Sequence, residues 1–262
     1  MGIKRMDAMS EFGTGMNLSA ESERVRTGIQ GLDELLHGGF PEGSVTLVSG
    51  TPGTGKTIVC FQYIWQGLQN GEKCLFLSSD ERIENLIKQA RKLGFDFQPA
   101  IDNNQMKFLY LNLDRSDIHK DVEQEISGGQ YDRVVLDSLT PLSEVPVWVV
   151  NKGKEIIPAF EGTTNTSAFP LDSIQAMRVH IRRIMGILDQ DDCTTLVTSE
   201  IPEGSRNLSR DSISEFLVDG ILLLDLDMTM DRRKITIRKM RGTKHTLKPH
   251  DIQIDAGGIR LI

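Results

Sequence analysis

The segment Gly50-Thr51-Pro52-Gly53-Thr54-Gly55-Lys56-Thr57 fits the pattern G-x-x-x-x-G-K-[ST] at every fixed position. An apolar run, Val45-Thr46-Leu47-Val48, precedes it, and a helix-like stretch from Lys56 to Leu68 follows. Strand, glycine-rich loop and helix in that order are the setting of a P-loop, and they commit the chain to an α/β fold built around a phosphate site. The glycines let the backbone wrap a phosphate chain with its N–H groups pointing inward, and the helix N-terminus favours an anion. Residues Gly50 through Ile58 are therefore the expected cradle for a nucleoside triphosphate. Lys56 is expected at the β- and γ-phosphates, and the Thr57 hydroxyl at Mg²⁺.

The rest of the 262 residues alternates in the way such a sheet requires. Strands are expected at 44–49, 73–78, 106–111, 134–136 and 194–198. Between them, helices are expected at 82–93, around Ile118, Val122 and Ile126, and at 172–189, where apolar residues recur at helical spacing. Alternating strands and helices give a mostly parallel twisted sheet covered on both faces. The last stretches, 219–226, 234–240 and 251–261, read as strands joined by turns and are expected to extend the sheet antiparallel. Residues 1–22 have no period and read as a flexible leader, leaving 23–262 as the domain. Within it, 142–170 is proline-bearing and is expected to be an irregular insertion.

Composition narrows the function classes. A net charge of −7 disfavours holding bare nucleic acid by bulk electrostatics. Cys60, Cys74 and Cys193 stand singly in apolar runs, as small buried hydrophobes do in a reducing compartment. No apolar run reaches the length of a membrane span, and Met1 to Arg5 lacks a signal-peptide core, so a cytoplasmic protein with no membrane partner is expected.

Hydrolysis needs carboxylates at the same sheet edge as the P-loop. Asp137, after Arg133-Val134-Val135-Leu136, has the Walker B arrangement and is expected to organise Mg²⁺ with Thr57. Asp80 and Glu81 follow the second strand, where strand C-termini of a parallel sheet converge. They read either as acids favoured at a helix N-terminus or as catalytic groups, with Glu81 the base and Asp80 assisting. Ser199 and Glu200 end the strand beside the site. From Arg232 to His250 there are eight Lys/Arg and no acid. Lys239 and Arg241, two apart on a strand, point from one face as a pair of phosphate-directed cations would.

These residues resemble a family. The opening Thr27-Gly28-Ile29-x-Gly31-Leu32-Asp33, the P-loop, the acidic pair Asp80-Glu81, Asp137-Ser138, and Lys239-Met240-Arg241-Gly242-Thr243-Lys244-His245 are together similar to KaiC-type ATPase domains of the RecA superfamily. The resemblance runs from about Val25 to Ile262. It implies a RecA-like fold and ATP as the nucleotide, bound with Mg²⁺ between subunits of a homo-oligomer, with a hexamer favoured. It also implies that Lys239 and Arg241, with His245 and Lys248, reach the phosphates from the neighbouring subunit, and that Asp255 of that neighbour is a candidate adenine contact. KaiC proper has two fused ATPase domains, whereas this chain carries one. Where its autophosphorylating half has adjacent Ser and Thr, this chain has Glu215-Phe216-Leu217-Val218.

Three functions follow as expectations. The first is a slow ATPase whose ring state signals to a protein partner. The second is a DNA-binding or recombination-modulating relative of RecA and RadA, using Arg206 and Arg210. The third is an autokinase. The acid-rich loops after residues 142 and 200 favour the first.

Overall fold

The computed structural model describes residues 23–114, 118–144, 147–152, 155–158, 168–171, 174–189 and 193–262; the expected leader 1–22 lies outside them. Two short pieces come first: β1 (Arg24–Val25) pairs antiparallel with β2 (Phe40–Pro41), with α1 (Leu32–Leu35) between them. The P-loop strand β3 (Val45–Gly50) then leads into α2 (Lys56–Gln69). Next come β4 (Cys74–Ser78), α3 (Ile83–Lys92), α4 (Gln98–Asp102), β5 (Met106–Tyr110) and α5 (Ile118–Gly129). They are followed by β6 (Arg133–Asp137) and α6 (Thr140–Glu144). After a small insertion come α7 (Ile174–Leu188), β10 (Thr194–Glu200) and α8 (Ser214–Leu217). The chain ends in β11 (Gly220–Asp227), β12 (Arg232–Met240), β13 (His250–Asp255) and β14 (Gly258–Leu261).

Among the described residues the main sheet has the order β14-β13-β12-β11-β3-β10-β6-β4-β5. The six strands from β11 to β5 are parallel, and β12, β13 and β14 extend the sheet antiparallel. This is the α/β, RecA-like architecture expected from the alternation. The period of two in each strand sorts side chains to two faces. Val48, Phe76, Val135 and Leu196 pack with α2, α3 and α4 on one side. Leu47, Leu77, Val134, Leu136 and Val197 pack with α5 and α7 on the other. Both faces are covered, so the central strands β3, β10, β6 and β4 are buried along nearly their whole length.

The stretch 142–170 is more regular than expected. The insertion carries β7 (Val147–Lys152), β8 (Glu155–Pro158) and β9 (Ala168–Leu171) in a separate antiparallel sheet of order β8-β7-β9. Its prolines do not oppose this. Pro158 and Pro170 lie on the two outer strands, which ladder on one side only and so tolerate proline best, and β7 between them has no proline.

One buried charge ties the start of the domain together. Arg133 is fully buried at the start of β6. It is ion-paired to Glu72, its Nη1 donates to the carbonyls of Arg26 (2.7 Å) and Tyr63 (2.9 Å), and it lies 4.5 Å from the Tyr63 ring centroid. The helix beside it must be glycine at position 67, because a Cβ there would lie 2.5 Å from Arg133 Nε. Removing the carboxylate leaves a guanidinium buried without its counter-charge. Glu72→Ala is expected to cost about 3 kcal/mol, at the low end for a broken buried pair because Glu72 is partly exposed. A urea unfolding curve would show it as a lower midpoint with unchanged slope.

Candidate functional site

The P-loop spans the gap between two rigid elements. β3 ends at Gly50, and α2 starts after Gly55, which holds φ 104° as the helix N-cap. That left-handed geometry favours glycine and turns the first helical amides toward the loop. The amides of Gly53, Thr54, Gly55, Lys56 and Thr57 have no acceptor among the described residues; for Lys56 and Thr57 this is what helix geometry dictates in a first turn. Thr54 Oγ1 donates to the Thr51 carbonyl at 2.8 Å and braces the loop from inside. Lys56 Nζ donates to the carbonyls of Gly50 (2.9 Å) and Thr51 (3.0 Å). Burial lowers the Lys56 pKa, while Glu200 and Asp137 oppose that shift.

Asp137 ends β6 two strands from the P-loop strand, with β10 between them. Its Oδ2 accepts from Thr57 Oγ1 at 2.7 Å, and its Oδ1 accepts from Thr198 Oγ1. Burial raises the Asp137 pKa; the Thr198 and Thr57 hydroxyls and Lys56 pull it down, and Asp80 pushes it further up. A carboxylate and a threonine hydroxyl in direct contact form an all-oxygen donor pair, the hard set that suits Mg²⁺.

The two acids after β4 differ in surroundings. Asp80 is exposed and close enough to bear on Asp137. Glu81 is partly buried, and its Oε1 accepts from Gln89 Nε2 of α3 at 2.6 Å. Glu200 ends β10 with its N–H on Thr140 Oγ1 (2.8 Å), and Ser199 Oγ accepts from the Arg210 amide (2.9 Å). Thr198, Gln89 and Arg233, whose Nε reaches the Gly53 carbonyl at 3.4 Å, escaped the sequence reading. The only local signal for Thr198 was a polar residue inside an apolar strand.

The cations lie at the other edge. β11 runs parallel to β3 with Gly220 opposite Thr46, and β12 returns antiparallel with Met240 opposite Gly220. Arg241 donates its amide to the Asp219 carbonyl, and the Asp219 amide donates to Val45. Arg241 is therefore level with Val45, roughly 16 Å along the strands from Gly50 at about 3.3 Å per residue. Lys239 is one pair further along, opposite Ile221. His245 and Lys248 lie in the segment leading from this edge into β13; it is tied to the start of the domain by Arg24 Nη1 donating to Thr243 Oγ1 at 2.7 Å. Asp255 does not share their position. β13 runs back alongside β12, so Asp255 ends at the P-loop edge, where a Cβ on Gly55 would lie 3.1 Å from Ile254 Cδ1.

Of the two arginines in the loop after β10, Arg210 is ion-paired to Glu144 at 2.8 Å and Arg206 is exposed. No helix among the described residues is long and apolar enough to cross a membrane.

Comparison with known proteins agrees with this architecture. The family model "ATPase: KaiC" matches residues 25–151 and 163–262. A UPF0273 protein of Pyrococcus horikoshii is 30% identical over 248 residues, 91% of this chain and 93% of that protein. Circadian clock oscillator protein KaiC 1 of Synechocystis is 31% identical over 242 residues, 91% of this chain and 44% of that protein. The crystal structure of a KaiC-like protein from Pyrococcus horikoshii superposes with a TM-score of 0.74 at 29% identity, covering 92% of this chain and 99% of the other. The glycine loop, the Thr57–Asp137 contact and the sheet order find their common explanation here: the chain belongs to the KaiC family of ATPases, within the RecA superfamily.

Proposed function

We propose that this protein binds ATP with Mg²⁺ and hydrolyses it slowly in a homo-oligomeric ring, each subunit completing its neighbour's site, and that a protein partner reads the ring's state. The observation that carries this reading is the separation of the two halves of the site. The P-loop, Asp137, Asp80 and Glu81 stand at one edge of the sheet; Lys239 and Arg241 stand toward the other. A chain cannot fold one edge onto the other, whereas a head-to-tail neighbour brings them together, and such contacts close into rings.

In this reading the loop amides and Lys56 hold the triphosphate. Thr57 and Asp137 would hold Mg²⁺, which would supply charge neutralisation at the phosphates. Glu81 takes the proton of the attacking water, with Asp80 assisting. The water oxygen bonds to the γ-phosphorus as the bond to the β-phosphate bridging oxygen breaks. Lys239 and Arg241 of the next subunit meet the charge that develops on the transferring group.

Size-exclusion chromatography with light scattering tests the ring. The chain is expected to form a hexamer with Mg-ATP, to fall to smaller species without it, and to assemble poorly as the Lys239→Ala/Arg241→Ala variant. A monomer under every condition would remove the shared site.

A further inference from the structure

Arg241 follows the last residue of β12 with its side chain 60% exposed. A charge that free has little direction of its own, since a long side chain loses entropy when it is aimed. Asp219 supplies the direction. It exchanges two hydrogen bonds with Arg241: the Arg241 amide donates to the Asp219 carbonyl at 2.9 Å, and Nη1 donates to Oδ1 at 2.9 Å. It exchanges two more with Val45, the first residue of the P-loop strand: the Asp219 amide donates to the Val45 carbonyl at 2.8 Å, and the Val45 amide donates to Oδ2 at 3.1 Å. Each carboxylate oxygen thus serves one side. Next to it, Lys239 Nζ donates to the Val218 carbonyl at 2.5 Å, so the two cations are held by consecutive residues just before β11. Asp189, after α7, is the second acid within electrostatic reach of Arg241 and Asp219; burial raises its pKa, Asp219 adds to the rise and Arg241 opposes it.

We propose that Asp219 is the positioning residue for Arg241, and that through Val45 it couples the cation a subunit presents to its neighbour to the strand carrying that subunit's own P-loop. The proposal rests on the role of Arg241 across the interface. Charge-assisted hydrogen bonds fix geometry more firmly than neutral ones, and a misplacement of about 1 Å can lower a rate about a hundredfold. Asp219 thereby links adjacent nucleotide sites: it bonds both the strand under one site and the group that serves the next.

The test uses Asp219→Asn in the full chain. Asparagine keeps an oxygen acceptor for Val45 but loses the charge that aims Arg241. ATP hydrolysis is expected to fall about tenfold or more, with nucleotide affinity and ring size retained. Mixed rings then place the defect. Asp219→Asn mixed with Lys56→Ala should regain activity, because intact P-loops of the first meet intact cations of the second. Asp219→Asn mixed with Arg241→Ala should regain none. Recovery in the second mixture and not the first would show that Asp219 acts on its own P-loop and would overturn the proposal. Recovery in neither would make it purely structural and overturn it as well. The control is Arg241→Ala mixed with Lys56→Ala: no recovery there overturns the shared site itself, while recovery there alone overturns only the role of Asp219.

Discussion

Arg241→Ala is expected to lower ATP hydrolysis about a thousandfold or more, the effect of losing a cation that meets the transferring phosphoryl group from across an interface. Nucleotide affinity should change far less, because in the proposed ring the loop amides and Lys56 of the other subunit would carry ground-state binding. An interaction made mainly in the transition state lowers kcat and kcat/KM together, and that signature separates this role from a purely adhesive one. Lys239→Ala should cost less, since Lys239 Nζ is already shared between the Val218 and Glu215 carbonyls at 2.5 and 3.4 Å. Its pKa is lowered by burial and by Arg241, with Asp219 opposing. Single-turnover hydrolysis beside equilibrium nucleotide binding measures both quantities. Full activity in Arg241→Ala would leave Arg241 with no part in the reaction, and its pairing with Asp219 would then be a strand-end clasp.

The strongest features of the site were legible because they are local. A P-loop needs strand, loop and helix within about 20 consecutive residues, and Asp137 follows an apolar strand in the same way. The parallel core was legible because fully covered strands carry apolar runs such as Val134-Val135-Leu136 between helical stretches. Three kinds of feature were not. Helices of four or five residues, such as α4, α6 and α8, are too short to show a period. The insertion's prolines read as breakers because nothing local says that β8 and β9 are outer strands. Pairings across the fold were invisible: Thr198 with Asp137, Arg133 with Glu72, and Asp219 with both Val45 and Arg241 all join segments far apart in sequence. Asp255 shows the same limit. Its side of the sheet depends on where the chain reverses after Met240, and only the strand register fixes that.

The acidic pair should separate by pH rather than by size of effect alone. Glu81→Gln removes the proposed base, and kcat is expected to fall by about a hundredfold to ten-thousandfold at every pH, with ATP affinity unchanged. Gln89, which donates to Glu81 Oε1 at 2.6 Å, keeps a partner in the glutamine oxygen, so the local geometry survives the change. Asp80→Asn acts on something else. Asp137 must be ionised to serve Mg²⁺, and its pKa is raised first by burial and then by the charge of Asp80. Neutralising Asp80 removes the second cause, so the Asp137 pKa falls. Ionised Asp137 then persists to lower pH, and the acid limb of kcat/KM, which reports the free enzyme, moves toward lower pH. A flat, severe loss for Asp80→Asn with a mild one for Glu81→Gln would exchange the two roles. The acid whose charge already bears on Asp137 would then be the base, and Gln89 would be holding its neighbour out of the reaction.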